Sequence, residues 1–466
     1  MADQTFDPQS PDTHVRTAFD LYKADNAKAA VEAAEKGMGE TKDAVSLQLV
    51  LALSLRRMGR QRSAVPVLAK ALEEAPERAD IWTLSGMCHR DLAEREKASA
   101  DFRRAIKADP GYDKAKYQLA VVTQEMGHNQ ESVPLFEWYL KTPVGQNNAL
   151  AWSLYAVALR RVGRFDESVV AIQTSIDMAP DDITSRNALV ITLHQSGDEK
   201  ATIEAARTAL EMKDAFATKR AAEMSLNLAL NERKQSFDRL DRSKNIISFS
   251  LWGDDPVYTH GAIVNAQLAP HVYSSWRCRF YCDESVPEHI LDELRRLGSE
   301  VHMIRDPELA ELKPLWRFLV SDDENVDHFI CRDADSRLNS QEAVAVDDWI
   351  TSELPFHVMR DHPYHMEVIL AGMWGGVARV LPNIREQAKV AMSYNRNKWN
   401  DQEFLRDIVW PLIRDRAKVH DSVFRFRGAD DFPPYCRLPG KVHVGGAIKS
   451  MPEWPLEAWN LSKKGS

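Results

Sequence analysis

The apolar and polar positions of the chain follow one period through the first half and another through the second. Over residues 10–215 apolar side chains recur at helical spacing, and small or turn-forming residues recur on a longer period. Gly59, Ala93, Gly127, Gly163 and Gly197 stand 34, 34, 36 and 34 residues apart. Ala64 and Ala98 come five residues after the first two of these marks, Ala71 and Ala105 twelve after, and Pro76 and Pro110 seventeen after. Later units keep Ser132, Ser168, Pro180 and Ala209, and Trp82-Leu84-Gly86 in one first helix corresponds to Trp152-Leu154-Ala156 in another. Small residues at fixed sites let paired helices approach closely, and Gly or Ala turns one helix into the next. Pro ends the second helix because it has no N–H to continue it. The pattern predicts an array of helix pairs. Its first unit is degenerate, with Ala30 in the small position and a link over 38–43, and a capping helix covers 215–230.

Residues 231–244 are polar and dense in charge, which reads as a solvated helix end and a linker. From Asn245 onward strands and helices alternate. Strands are predicted over 246–252, 277–282, 301–304 and 327–331, and helices over 258–268, 287–297 and 313–320. Gly261, Ala262 and Ala266 form the close-packed side of the first of these helices, and the apolar runs 377–382 and 410–413 are packing. Such alternation implies a largely parallel sheet with right-handed crossovers, and ligands of such sheets bind beyond the carboxyl ends of the strands. The expected division is a helical domain over 10–234, a linker over 235–245 and an α/β domain over 246–466.

Bulk properties narrow the classes. A chain of 466 residues, 44% apolar and 28% charged, is a soluble globular protein of two or more domains. Its net charge of -9 argues against nonspecific binding to nucleic acid or an anionic membrane, while leaving room for a nucleotide in a local basic pocket. Five scattered cysteines (Cys88, Cys278, Cys282, Cys331 and Cys436) make no disulfide framework and fit a reducing compartment. Cys278 and Cys282 fall in a strand pattern and read as structural thiols. No signal peptide and no apolar run of the roughly 18 residues needed for a membrane span is visible, so the expected location is cytoplasmic.

The chemistry concentrates at 328–338, where the run Phe329-Ile330-Cys331 stops at Asp333-Ala334-Asp335 between Arg332 and Arg337. In near-extended chain, residues i and i+2 point to one side, so both carboxylates aim at one volume. Paired carboxylates repel unless a cation or proton neutralises them. A hard divalent ion completed by a substrate phosphate suits such a pair; a polar turn closing a strand is the plainer reading.

The repeat marks resemble the tetratricopeptide repeat over residues 10–215. That resemblance implies a curved solenoid whose concave face binds a peptide or partner protein, or else a spacer or dimerisation platform. The second half resembles a GT-A glycosyltransferase: a Rossmann-like half for a nucleotide sugar, an Asp-x-Asp at a strand end, and a mixed-sheet acceptor half. It implies Mn²⁺ or Mg²⁺ held against a nucleoside-diphosphate sugar by Asp335 and Asp333, Asp333 acting through water or the ribose. His443, in Val442-His443-Val444-Gly445-Gly446, would be the third ligand or else an ordinary polar residue. Asp401, in Asn400-Asp401-Gln402-Glu403, would be a general base in an inverting transfer, would position the sugar in a retaining one, or would simply cap the following helix with Asn400. Met373-Trp374-Gly375-Gly376 resembles an acceptor-side loop, with Trp374 a sugar platform or core.

Further candidates are Trp252 and Asp254 after the first strand, for the donor. Arg332 and Arg337 are diphosphate partners, anchors for the carboxylates or surface ion pairs. Arg317 lies between Trp316 and Phe318, needs an anionic partner, and would find it in donor phosphate or the triplet. Asp361 and His362 are acceptor-pocket residues or polar loop. His357, His362 and His365 invite a zinc reading that Pro363 and the absence of a His-Glu-x-x-His pattern oppose. The expectation is thus a metal-dependent glycosyltransferase with a recruiting solenoid. Its rivals are a scaffold with a degenerate catalytic domain and a metal-dependent nucleotidyltransferase, for which no Gly-rich triphosphate loop is seen.

Overall fold

A computed structural model describes residues 8, 10–224, 229–233, 236–394, 401–439 and 442–448. The chain divides into two compact units, Met1–Gly197 and Asp198–Ser466.

The first unit is built of antiparallel helix pairs: Thr13–Lys23 with Ala27–Gly37, Ala44–Arg57 with Gln61–Glu74, Ala79–Asp91 with Arg95–Ala108, Asp113–Glu125 with Asn129–Leu140, and Ala149–Arg161 with Phe165–Met178. Ile183–Ser196 follows, and a short helix Pro143–Gln146 accounts for the one lengthened repeat. The turn inside each pair is left-handed at Gly59, Gly127 and Gly163, and Gly197 adopts the same conformation after the last helix. Ala93 holds that conformation without being glycine (φ 62°), and so does Asp25 (φ 61°), 34 residues before Gly59. Asp25 therefore continues the series into the first unit, where the sequence pattern is weakest. Ala64, Ala71, Ala98 and Ala105 have no exposed surface. Gly86 faces Phe102, and a Cβ there would come within 2.5 Å of its ring.

The division falls earlier than the linker expected at 235–245. Residues 215–223 of the capping helix expected over 215–230 are the end of one long helix, Glu199–Glu223, which falls within the second unit. Its Lys213 has no exposed surface and donates to Glu367 Oε1 at 2.6 Å and to the Met366 carbonyl. Its Asp214 accepts from Trp410 Nε1 at 2.7 Å and from Arg414 at 3.0 Å.

The second unit is a seven-stranded mixed sheet: β1 (Asn245–Leu251), β2 (Arg277–Cys282), β3 (Glu300–Met303), β4 (His328–Cys331), β5 (Phe356–Arg360), β6 (Trp374–Val377) and β7 (Ala417–Asp421), in the order β3-β2-β1-β4-β6-β5-β7. The strands β3, β2, β1 and β4 are parallel, β6 is antiparallel to both β4 and β5, and β7 is parallel to β5. Pro256–Val272, begun by Pro256 and capped by Asp255, and Glu288–Arg296 are the crossovers among the first three strands. Their apolar faces meet Ile247, Phe249, Phe280 and Ile330 in one core. After β3 the chain returns across β1 to form β4 on its other side. That reversal opens a crevice between the carboxyl ends of β1 and β4, where open α/β sheets take their ligands.

Candidate functional site

A cavity of about 420 Å³ occupies this crevice. Its walls come from four separate stretches: Ser250 and Trp252 at the end of β1 with Tyr258 one turn into the next helix, Arg317 from the 3₁₀ helix Lys313–Asp322, Asp333 and Asp335 after β4, and Asp401. Gly445 and Ala447 of the late loop add a fifth stretch.

A hydrogen-bonded turn just past β4 carries the acidic pair, with the Ser336 N–H donating to the Asp333 carbonyl at 3.2 Å, so the turn and not an extended chain sets the two carboxylates. Arg332 has no exposed surface, while Asp333 and Asp335 both reach the cavity. The loop that carries them is gripped by close backbone contacts. A Cβ on Gly261 would stand 2.1 Å from the Ala334 carbonyl, and a Cβ on Gly372 would stand 2.0 Å from Asp333 Oδ2. From the late loop, the Ile448 N–H donates to the Asp335 carbonyl at 2.8 Å.

Arg317 is the cation of the site. It is 6% exposed, and its guanidinium donates to Asp333 Oδ1 and Asp401 Oδ2 in short ion pairs and to the Arg332 carbonyl at 3.2 Å. Its backbone is pinned as well: its N–H donates to Ser250 Oγ at 2.9 Å, and its carbonyl accepts from Ser248 Oγ at 2.7 Å. Burial opposes the charge of Arg317, but Asp333 and Asp401 more than offset it and hold its pKa above the ordinary value. Burial raises the Tyr258 hydroxyl, and Asp335, Asp255 and Asp333 raise it further, so the phenol stays neutral over a carboxylate-rich floor. Trp252 offers an exposed indole face at the mouth and meets Trp316 edge-on at 6.3 Å.

Other expected site residues lie elsewhere. Arg332 is sealed in the core, paired with Glu342 at 3.3 Å and donating to the Cys331 carbonyl at 2.8 Å, so it does not reach a diphosphate. Arg337 bonds the carbonyls of Ser336 and Ala334 and braces the loop from behind. Asp254 is exposed and is not a wall of the cavity. Trp374 has no exposed surface and packs edge-on against Phe329 and Phe318, while Gly375 is paired with Ile330 in the β4–β6 ladder; both are sheet core, not an acceptor loop. Asp361 is largely buried, accepting from Gln341 at 3.0 Å and the Val444 N–H at 3.2 Å, and anchors the late loop. His362 stacks on His443 with ring centroids 4.1 Å apart, and His365 meets the same ring at 4.9 Å.

His443 is thus committed to an imidazole cluster, and among the described residues no group of three or more His, Cys, Asp or Glu side chains is placed to hold a metal ion. The backbone N–H groups of Asp361 and Tyr364 donate to Nδ1 of His365 and His362. That leaves the Nε2 of both neutral rings protonated and unsuited to zinc. Asn400, the alternative helix cap, lies outside the described residues. Gly372 went unremarked in sequence, Tyr258 was read only as the start of a helix, and Gln402 only as the neighbour of Asp401 in its motif. Ser248 and Ser250, alternating on one face of β1, carried a readable signal for a polar seat under Arg317.

Three acids, Asp333, Asp335 and Asp401, line the cavity, and Asp333 and Asp401 both pair with Arg317. A hard divalent ion binds through one or two carboxylates and completes its shell with water and phosphate oxygens, a donor chemistry that Asp333 and Asp335 offer.

A family model described as Psidin, N-terminal TPR repeats region, matches residues 12–122. Among solved structures, MamA 41-end from Desulfovibrio magneticus RS-1 is 18% identical over 37% of this chain and 96% of its own, with a TM-score of 0.35. YrrB, described as a TPR protein with an unusual peptide-binding site, is 18% identical over 39% of this chain and 93% of its own, with a TM-score of 0.36. A tetratricopeptide repeat protein from Parabacteroides merdae ATCC 43184 is 16% identical over 45% of this chain and 85% of its own, with a TM-score of 0.37. No curated protein matches the chain. The family match and the helix pairs repeating every 34 to 36 residues make the first unit a tetratricopeptide repeat array.

Proposed function

We propose that this tetratricopeptide repeat protein carries, in its mixed-sheet unit, a glycosyltransferase of GT-A type that moves a sugar from a nucleoside diphosphate to an acceptor recruited by the repeats. The observation behind this reading is convergence. Trp252, Arg317, Asp333, Asp335 and Asp401, spread over 150 residues of sequence, meet in one cavity at the sheet's topological switch point.

Asp335, with Asp333 beside it, would hold Mn²⁺ or Mg²⁺. The ion supplies Lewis-acid neutralisation of the diphosphate leaving group. The chain's own residues divide the rest. Trp252 presents an aromatic face to a base or sugar ring. Arg317 spaces the acids and keeps Asp333 from swinging free. Asp401 engages Arg317 through Oδ2 and the Gln402 N–H through Oδ1, which suits orienting a hydroxyl better than removing its proton. The repeat array, like tetratricopeptide arrays generally, would hold a protein or peptide that is or presents the acceptor.

A donor-hydrolysis screen with a panel of nucleoside-diphosphate sugars and Mn²⁺ tests the reading. Release of a nucleoside diphosphate that falls at least 100-fold in Asp335→Ala supports it. One observation favours a second reading: Arg317 already neutralises two of the three acids, as in a retained fold that has lost its reaction. A scaffold of that kind gives no turnover with any donor.

A further inference from the structure

We propose that Gln402 is a positioning residue that fixes the acidic cavity from behind, through backbone it shares with the seat of Asp333. Gln402 does not line the cavity. Its Nε2 donates to the Ile369 carbonyl at 2.9 Å, and its Oε1 accepts the Ala371 N–H at 2.6 Å. One side-chain amide thus satisfies a donor and an acceptor two residues apart on a buried segment, since Ile369 is 0% and Ala371 5% exposed. Removing it takes that partner from both groups, each costly to leave unpaired in an interior.

The next residue is Gly372, whose bare Cα is where Asp333 rests. A Cβ there would come to 2.0 Å from Asp333 Oδ2 and 2.7 Å from its Cγ. The other oxygen of Asp333 goes to Arg317, and Arg317 goes on to Asp401, the residue before Gln402. Asp401 closes the circuit by accepting the Gln402 N–H at 3.0 Å. From Gln402 through the 369–371 backbone, Gly372, Asp333, Arg317 and Asp401, the contacts return to their starting point. Consecutive residues thereby do opposite work: Asp401 enters the cavity while Gln402 turns away and holds the wall that orients Asp333. Packed interiors transmit small shifts, so displacing the 369–371 segment displaces Asp333. The frame orients these acids for whatever ligand the cavity takes, so the assignment goes beyond the transfer reaction and does not depend on it.

The experiment is NMR of the full chain labelled with ¹⁵N-arginine, reading guanidinium hydrogen exchange at Arg317 with Arg279 as an internal control. Arg279 is also buried, 4% exposed, but pairs with Glu300 and Asp323, neither of which is a wall of the cavity. Gln402→Ala is expected to speed exchange at Arg317 about tenfold or more and leave Arg279 unchanged. Gln402→Glu, which keeps an acceptor for Ala371 but sets a carboxylate against the Ile369 carbonyl, gives a smaller change of the same kind. Gly372→Ala, which moves Asp333 without touching Gln402, reproduces the signature. Unchanged exchange at Arg317, or equal acceleration at both arginines, overturns the assignment. If Gln402→Ala does not fold, Gln402→Glu and Gly372→Ala decide by the same comparison.

Discussion

Arg317 and Arg332 are both buried and lie 15 residues apart, yet they do different work. Arg317 turns its guanidinium to the cavity acids, whereas Arg332 turns the other way and meets Glu342 inside the core. Truncating one partner of a buried pair leaves the other charge uncompensated, at a cost of about 3–5 kcal/mol. Arg332→Ala should therefore lower stability by about that much in chemical denaturation, with no change in ligand affinity of the folded protein. Arg317→Lys should alter ligand binding far more than stability, because an ammonium cannot span two carboxylates as a planar fork does. Flanking the acidic triplet marked Arg332 as a candidate, but the residue directly after a strand and next to Asp333 faces the opposite side, into the core. His328 makes a separate test. It has no exposed surface and no hydrogen-bond partner for either ring nitrogen among the described residues, and it sits against Phe237 and Trp349. Burial lowers its pKa to about 4, with Asp327 opposing and Arg233 assisting. A group depressed in the fold stays neutral there while the unfolded chain takes up a proton below about 6.5. Its contribution is thus fully present above pH 6.5 and is lost as pH falls toward 4, by at most about 3 kcal/mol. Stability of His328→Phe measured across that window should fall less steeply than that of the parent chain.

At the scale of elements, the repeat turns give the sharpest expectation. Each needs a left-handed residue, and Ala93 fills the position at a cost that glycine avoids. Ala93→Gly should raise the stability of the first unit by about 0.5–1 kcal/mol, and Gly127→Ala, with open space around it, should lower it by about as much. Thermal denaturation of the two variants checks the opposite signs. These turns were legible because a backbone requirement repeats wherever the geometry repeats, and Asp25 was missed because aspartate also tolerates that conformation. The first four strands were legible for a related reason, since apolar runs bounded by turn residues leave little choice. Trp374-Gly375-Gly376 misled: Gly375 does mark a close backbone approach, but by Phe329 and Ile330 of β4, and Gly376 makes room for the Phe356 ring, not a sugar. The helix Glu199–Glu223 was divided in sequence between the repeats and a cap over 215–230, since the buried Lys213 gives no sign of its distant partner Glu367.

For the whole molecule, the division at Gly197/Asp198 separates a repeat array from a sheet unit that owns the helix Glu199–Glu223. A fragment beginning at 198 should unfold cooperatively, whereas one beginning at 235 leaves Glu367 without Lys213 and should show lower stability or aggregation by denaturation and light scattering. Among the described residues no helix is long and apolar enough to cross a membrane. The acidic site was legible as a triplet at a strand end, while its depth came from residues far apart in sequence, Arg317 and Asp401 above all. The most direct test is calorimetric titration of the full chain with a panel of nucleoside diphosphates, with and without Mn²⁺. Metal-dependent heat that disappears in Asp335→Ala is the predicted result. No metal-dependent binding in the parent chain, or the same binding in Asp335→Ala, would contradict it.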